Sequence, residues 1–209
     1  MQRKTFIERF LIQIYGGLPS DDAEITYDII NGWMSDAIAA AAKACYKEAI
    51  QLDGVGYVNN GFYSTFSGLV VSQDSTDNLC WKFELPEIPP GIGNSMGLAE
   101  VRFKGNGVTS FSAIPLSMDQ WGYFDNMRPI GNKVMVMQEG KTVRAKTPLI
   151  LTNYTATVKM ISGGDSSDLD SELIVPPDYF PLMQEYLKAQ LGFEKSQKQD
   201  IANDGIDMP

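Results

Sequence analysis

The sequence of 209 residues contains no histidine, only two cysteines, and 17 basic side chains against 26 acidic ones. Each shortage excludes something. Without imidazole there is no Ser-His-Asp triad, no Cys-His pair and no imidazole metal site. Cys45 and Cys80 are too few for a thiolate zinc site or a disulfide-rich scaffold, and they read as free and buried. The deficit of positive charge argues against a basic nucleic-acid-binding domain. No run approaches the roughly 18–20 apolar residues that span a bilayer. Phe6 to Tyr15 is interrupted by Glu8, Arg9 and Gln13, so it is no signal-peptide core. The expectation is a chain kept in a reducing compartment.

The charge is unevenly spread. Residues 162–209 hold 3 basic and 10 acidic side chains, whereas residues 1–161 hold 14 and 16. The formal charge of −9 therefore belongs mainly to the C-terminal quarter. Such an end reads as a solvated tail or a repelling surface.

The first fifty or so residues carry helical periodicity. Phe6, Ile7, Phe10, Leu11 and Ile14 make one apolar face, Thr5 with Glu8 fits a capping box, and Gly16-Gly17-Leu18-Pro19 stops the helix. Asp21 with Glu24 predicts a second start, and a helix from about Ala23 to Ile50 would be about 40 Å long. Gly32 is expected to bend it. That helix shows two stripes, Ile25, Ile29 and Trp33 beside Ile30, Met34, Ala37, Ile38, Ala41 and Cys45. With Phe6 and Phe10, the first stripe is expected to pack within one protomer. Ile30, Met34 and Ile38 are expected to pack against the next.

Beyond Asp53 the period changes to two. Leu79, Trp81, Phe83 and Leu85 alternate with Cys80, Lys82 and Glu84, and Val101 and Phe103 alternate with Arg102 and Lys104. Tyr154, Ala156, Val158 and Met160 form a third such run. Asn106-Gly107 and Glu139-Gly140-Lys141 each predict a hairpin. Residues 162–172 read as an acidic linker. Pro176-Pro177-Asp178 opens a last helix near Asp178 that fades around Ser196, with the tail mobile in the isolated chain. The predicted class is α+β. Its helical part comes from both chain ends, with two N-terminal helices and one C-terminal helix, around an inserted antiparallel β-sandwich or barrel. The divisions are a helical hairpin at 1–52, a β domain of six to eight strands at 53–161, and a linker, helix and tail at 162–209.

Few motifs carry chemistry. Gly91, Gly93 and Gly97 are spaced GxGxxxG and lead into a strand, so they read as a long loop, not a phosphate cradle. Asp165, Asp168, Asp170 and Glu172 lack the spacing of a calcium loop and read as turn caps. Glu84, Glu87, Glu100, Asp119 and Asp125 show no pattern of a facing acid pair. No enzyme activity, cofactor or metal is expected. Trp121, Tyr123, Phe124 and Arg128 make an aromatic patch, read either as a corner sealing the sheet or as a contact with a neighbouring subunit.

Six segments together resemble one family. They are FIERFLIQIYGGLPSDDAEIT (Phe6–Thr26), DGVGYVNNGFYSTF (Asp53–Phe66), LPEIPPGIG (Leu85–Gly93), YFDNMRPIGNKV (Tyr123–Val134), MISGGDSSDL (Met160–Leu169) and VPPDYFPLMQEYLKAQL (Val175–Leu191). The chain resembles the ring or adaptor proteins, often labelled tail stabilisation proteins, of the head–tail connector and tail barrel of crAss-like short-tailed bacteriophages. The resemblance implies a non-enzymatic virion protein, assembled in the host cytoplasm into a homo-oligomeric ring of about twelve copies that matches the portal. It would dock the portal protein or adjacent tail rings and continue the channel through which phage DNA passes without specific binding. It would have no membrane contact. Asp165, Asp168, Asp170 and Glu172 then become candidate acids of the channel or its rim. The competing reading is a carbohydrate- or receptor-binding tail module.

Overall fold

The computed structural model describes residues 1–16, 25–75, 77, 79–93, 96–105, 110–116, 118–125, 133–163 and 168–203. At 118–119, 124–125 and 193–203 it describes the helix backbone alone.

Helix α1 spans Arg3–Tyr15 and buries Arg3, Phe6, Ile7, Phe10 and Leu11, the face its periodicity predicts. Its start differs from expectation. The N-cap is Gln2, with no side-chain cap, so the Thr5–Glu8 capping box does not form. The free N–H groups of the first turn go instead to carbonyls of the acidic segment: Arg3 N donates to Ser171 O at 2.9 Å and Lys4 N to Leu169 O at 2.8 Å. Gly16 closes the helix at φ 69°, a left-handed C-cap.

Helix α2 spans Tyr27–Asp53, starting later than the predicted Ala23; Asp21 and Glu24 lie outside the described residues. Its 27 residues run through Gly32 as one helix and end at Gly54, again left-handed at φ 70°. The buried stripe is Ile30, Met34, Ala37, Ile38, Ala41, Ala42, Cys45 and Ala49. It packs on α1 and on α4, which spans Phe180–Asn203 after a 3₁₀ turn at Pro177–Tyr179. Met183, Leu187 and Leu191 of α4 enter the same core as Phe6, Phe10 and Met34. Helical ends and start are thus one packed unit, as expected, and α4 runs on past Ser196.

Between them lie β1 (Tyr63–Val70), β2 (Ser72–Gln73), β3 (Cys80–Glu84), β4 (Leu98–Gly105), β5 (Ser110–Ser112), β6 (Ile114–Pro115), a short helix α3 (Met118–Asp125), β7 (Met135–Glu139), β8 (Thr142–Lys146) and β9 (Tyr154–Ile161). They form a sheet of order β1-β9-β4-β5 and another of order β2-β3-β8-β7-β6. Both sheets are open at their edges, so no barrel closes among the described residues. All pairs are antiparallel except β6 with β7, which run parallel. The alternating strands point where their sequences predict: Trp81, Phe83, Val101, Phe103, Ala156 and Val158 share one buried cluster. Phe83 meets Phe103 edge-on at 5.9 Å, and Phe103 stacks on Phe111 at 5.8 Å. The hairpin β7–β8 turns at Gly140, at φ 60°. Strands β4 and β5 pair as the Asn106-Gly107 hairpin predicts, although the turn itself lies outside the described residues.

Cys45 and Cys80 are both free and buried, as expected.

Candidate functional site

The predicted interface residues of α2 are placed inside the protomer. Ile30, Met34 and Ile38 are 0, 0 and 1% exposed, in the core formed with α1 and α4. They are therefore not available to a neighbouring copy. The other stripe packs within the protomer as expected, with Phe6, Phe10 and Ile25 in the same core and Trp33 partly buried against it, so both stripes serve one protomer. The stripe carrying Ala37, Ala41 and Ala42 lets α4 approach closely, while Trp33 lies at the margin.

The aromatic patch divides. Trp121 of α3 is buried and, with Cys80, Met137 and Leu116, covers the outer face of the five-stranded sheet. It is the corner that seals the sheet. Tyr123, two residues on, is 76% exposed. The side chain of Phe124 and all of Arg128 lie outside the described residues.

The acidic segment is a seam. Asp165 lies outside the described residues, while Asp168, Asp170 and Glu172 are exposed. Asp168 Oδ1 accepts from Asp170 N at 3.0 Å, a turn cap of the kind predicted. The Met1 amine is 3.7 Å from Glu172 Oε1, Leu173 N donates to Met1 O at 2.9 Å, and Gln2 bridges Glu172. Sequence reading missed Arg3, which is fully buried here. Its guanidinium donates to the Asn31 side chain, to Asn31 O at 3.3 Å and to Gly163 O at 2.6 Å. A buried guanidinium persists only when its donors are met.

Beside this seam, where the helical part meets the sheets, lies a cleft of about 850 Å³. Its walls are Tyr63 to Phe66 of β1, Pro86 and Glu87 after β3, and Ser162, Ser171, Glu172 and Ile174. Strand β1 is the edge of its sheet. Ser64 and Phe66 pair across to Met160 and Val158, which are buried, so they point to the inner face. Two polar atoms here, Ser64 Oγ and Glu87 Oε1, are buried and have no hydrogen-bond partner. Tyr63 Oη is engaged, donating to Met96 O at 2.9 Å. Glu87 also borders a second cavity of about 330 Å³, which Lys43 and Asp36 of α2 line.

Asp77 and Tyr179 are among the titrating groups displaced by their surroundings. Asp77 is held below the ordinary carboxylate value, chiefly by the backbone N–H of Leu79, then by the Cys80 thiol, with Lys146 at 3.7 Å adding less. Tyr179 is pushed well above the ordinary phenol range by burial first, then by its hydrogen bonds with Cys45 and with Glu48, the latter at 3.0 Å.

Exposed apolar residues straddle the end of α2. Within eight residues of sequence, Ile50, Leu52, Val55 and Tyr57 are 43, 76, 65 and 48% exposed. Gly54 between them is the left-handed C-cap that ends the helix. Among the described residues no group of three or more acidic or cysteine side chains is arranged to hold a metal ion, and no helix is long and apolar enough to cross a membrane. Compared with known proteins, the chain matches no family model and no curated protein sequence.

Proposed function

We propose that the protein is a non-enzymatic structural subunit that works by packing against copies of itself and against neighbouring proteins, as a ring of the head–tail connector or tail barrel of a short-tailed bacteriophage. The observation that carries this reading is the density of exposed apolar residues at the end of α2: Ile50, Leu52, Val55 and Tyr57 fall within eight positions. Single exposed apolar residues are ordinary, but four so close in sequence suit a chain segment that a neighbouring subunit covers. Tyr123, exposed beside the buried Trp121, suits the rim of the same kind of contact. We read the two sheets, which share one buried cluster, as the halves of a sandwich. The exposed carboxylates of Asp168, Asp170 and Glu172 suit a channel or rim that repels DNA phosphates. Against a carbohydrate-binding module stands the burial of Trp81 and Phe83, the aromatics that a sheet-borne sugar site would display.

Native mass spectrometry of the purified chain tests the proposal. A closed ring of about twelve copies, dispersed by Leu52→Asp with Val55→Asp while circular dichroism is kept, is the expected result. A monomer at every concentration up to millimolar, in the presence and absence of its virion neighbours, overturns it.

A further inference from the structure

We propose that the cleft beside β1 is a docking site for an extended peptide segment of a partner protein, which adds itself to the free edge of β1 and brings a lysine or arginine to Glu87. The proposal stands independently of ring formation.

Three observations converge. The first is the edge itself. Among the described residues no strand pairs with the side of β1 away from β9, so alternate backbone donors and acceptors over Tyr63–Phe66 have no strand partner, and these residues line the cleft. An open edge is the ordinary template for strand addition. The second is shape. A cleft of about 850 Å³ lies between residues of this edge and Pro86 and Glu87 after β3, a volume in the range of ligand-binding clefts.

The third is unmet chemistry. Ser64 Oγ and Glu87 Oε1 are buried without a partner, and leaving such groups unpaired is unfavourable, more so for a charge. The charged side chains lining the cleft, Glu87 and Glu172, are both carboxylates. Glu172 already has the Met1 amine within 3.7 Å, whereas Glu87 has an oxygen to spare. Lys43 borders the neighbouring cavity and forms no ion pair with it in the described structure. A cationic side chain arriving with the incoming strand answers the charge, and a backbone or hydroxyl group answers Ser64. The acidic chain end, Asp204 to Pro209, carries the wrong sign for this role.

The protein can be panned against a displayed library of random eight-residue peptides, the length of β1. The expected outcome is enrichment of alternating apolar sequences with one lysine or arginine at a fixed place. The best selected peptide should lose about tenfold in affinity against Glu87→Gln. It should lose binding altogether to the unaltered protein when alternate peptide nitrogens are methylated, a control that needs no folded variant. No enrichment, peptides without a basic residue, or indifference to N-methylation overturns the proposal. A change in oligomeric state of Glu87→Gln without any peptide selected also overturns it, in favour of a second copy as the occupant.

Discussion

Arg3 Nη1 donates to the carbonyl oxygen of Gly163 at 2.6 Å, joining positions 160 residues apart. The same guanidinium holds the side chain and carbonyl of Asn31 on α2. One side chain therefore ties the start of α1, the middle of the helical core and the exit of β9. Its charge has left water completely, so the geometry of these acceptors is what makes the fold tolerate it.

Arg3→Met should cost about 3 kcal/mol of unfolding free energy, because it strands the acceptors of Asn31 and Gly163. Urea denaturation followed by circular dichroism measures it. Arg3→Lys should recover only part, since an ammonium cannot fork to two carbonyls. A loss under about 0.5 kcal/mol for both variants shows that the seam is indifferent to Arg3.

Met34→Asp should prevent folding. Met34 is wholly buried, and a carboxylate placed there has neither water nor a cation. Trp33→Ala, at the partly buried margin, should leave a folded chain. A folded Met34→Asp protein that merely failed to assemble would restore Met34 to a contact between protomers.

The glycine-rich loop supplies a matched pair. A Cβ on Gly97 would sit 2.1 Å from the carbonyl oxygen of Pro90, a backbone atom that cannot swing aside, while one on Gly91 meets nothing within 4 Å. Gly97→Ala should lower stability by more than about 2 kcal/mol and Gly91→Ala by less than about 0.5 kcal/mol. Equal melting temperatures for the two variants would refute the close approach of Gly97 to Pro90.

Gly32 lies exposed in mid-helix with open space where a Cβ would go. Gly32→Ala should raise stability by about 1 kcal/mol through helix propensity and a stiffer unfolded chain. Thermal denaturation gives the sign directly, and a decrease would reveal a contact at Gly32.

Asp77 makes stability depend on pH in one direction. Its carboxyl titrates lower in the folded protein than its ordinary value of 3.8. The contribution is therefore complete above that value and is lost as pH falls through the lower, folded one. The gap in melting temperature between the unaltered protein and Asp77→Asn should hold steady from pH 7 to about 5 and close below. A gap that stays constant down to acid unfolding contradicts the role assigned to the Leu79 N–H and Cys80 thiol.

Period-two and period-3.6 patterns were legible wherever one face meets a large core. That holds for α1 and for β3 and β4, while the β7–β8 hairpin is announced by its turn glycine, Gly140. The faces of α2 were legible as two stripes, but that the second also lies inside the protomer depends on α4, which arrives about 150 residues later in sequence. The capping of α1 was invisible for the same reason, because backbone carbonyls of Leu169 and Ser171 carry no sequence signature. A buried arginine contradicts the rule that long cations stay in water, and only its partners reveal it. The docking cleft is built from an edge and a gap, and neither is written in residue types. Asp168 and Asp170 read correctly as turn formers, while the seam they belong to did not.

That seam sets the order of events during synthesis. The residues of α1 leave the ribosome well before the carbonyls of Leu169 and Ser171 that complete its first turn. At about 5–20 residues per second, roughly ten to thirty seconds pass before those carbonyls are made. Through that interval Phe6, Phe10 and Leu11 have no finished core to enter, since Met183 and Leu187 follow later still. The nascent chain must carry an uncovered apolar helix until α4 has been made, which makes it a client for any holding factor near the ribosome exit.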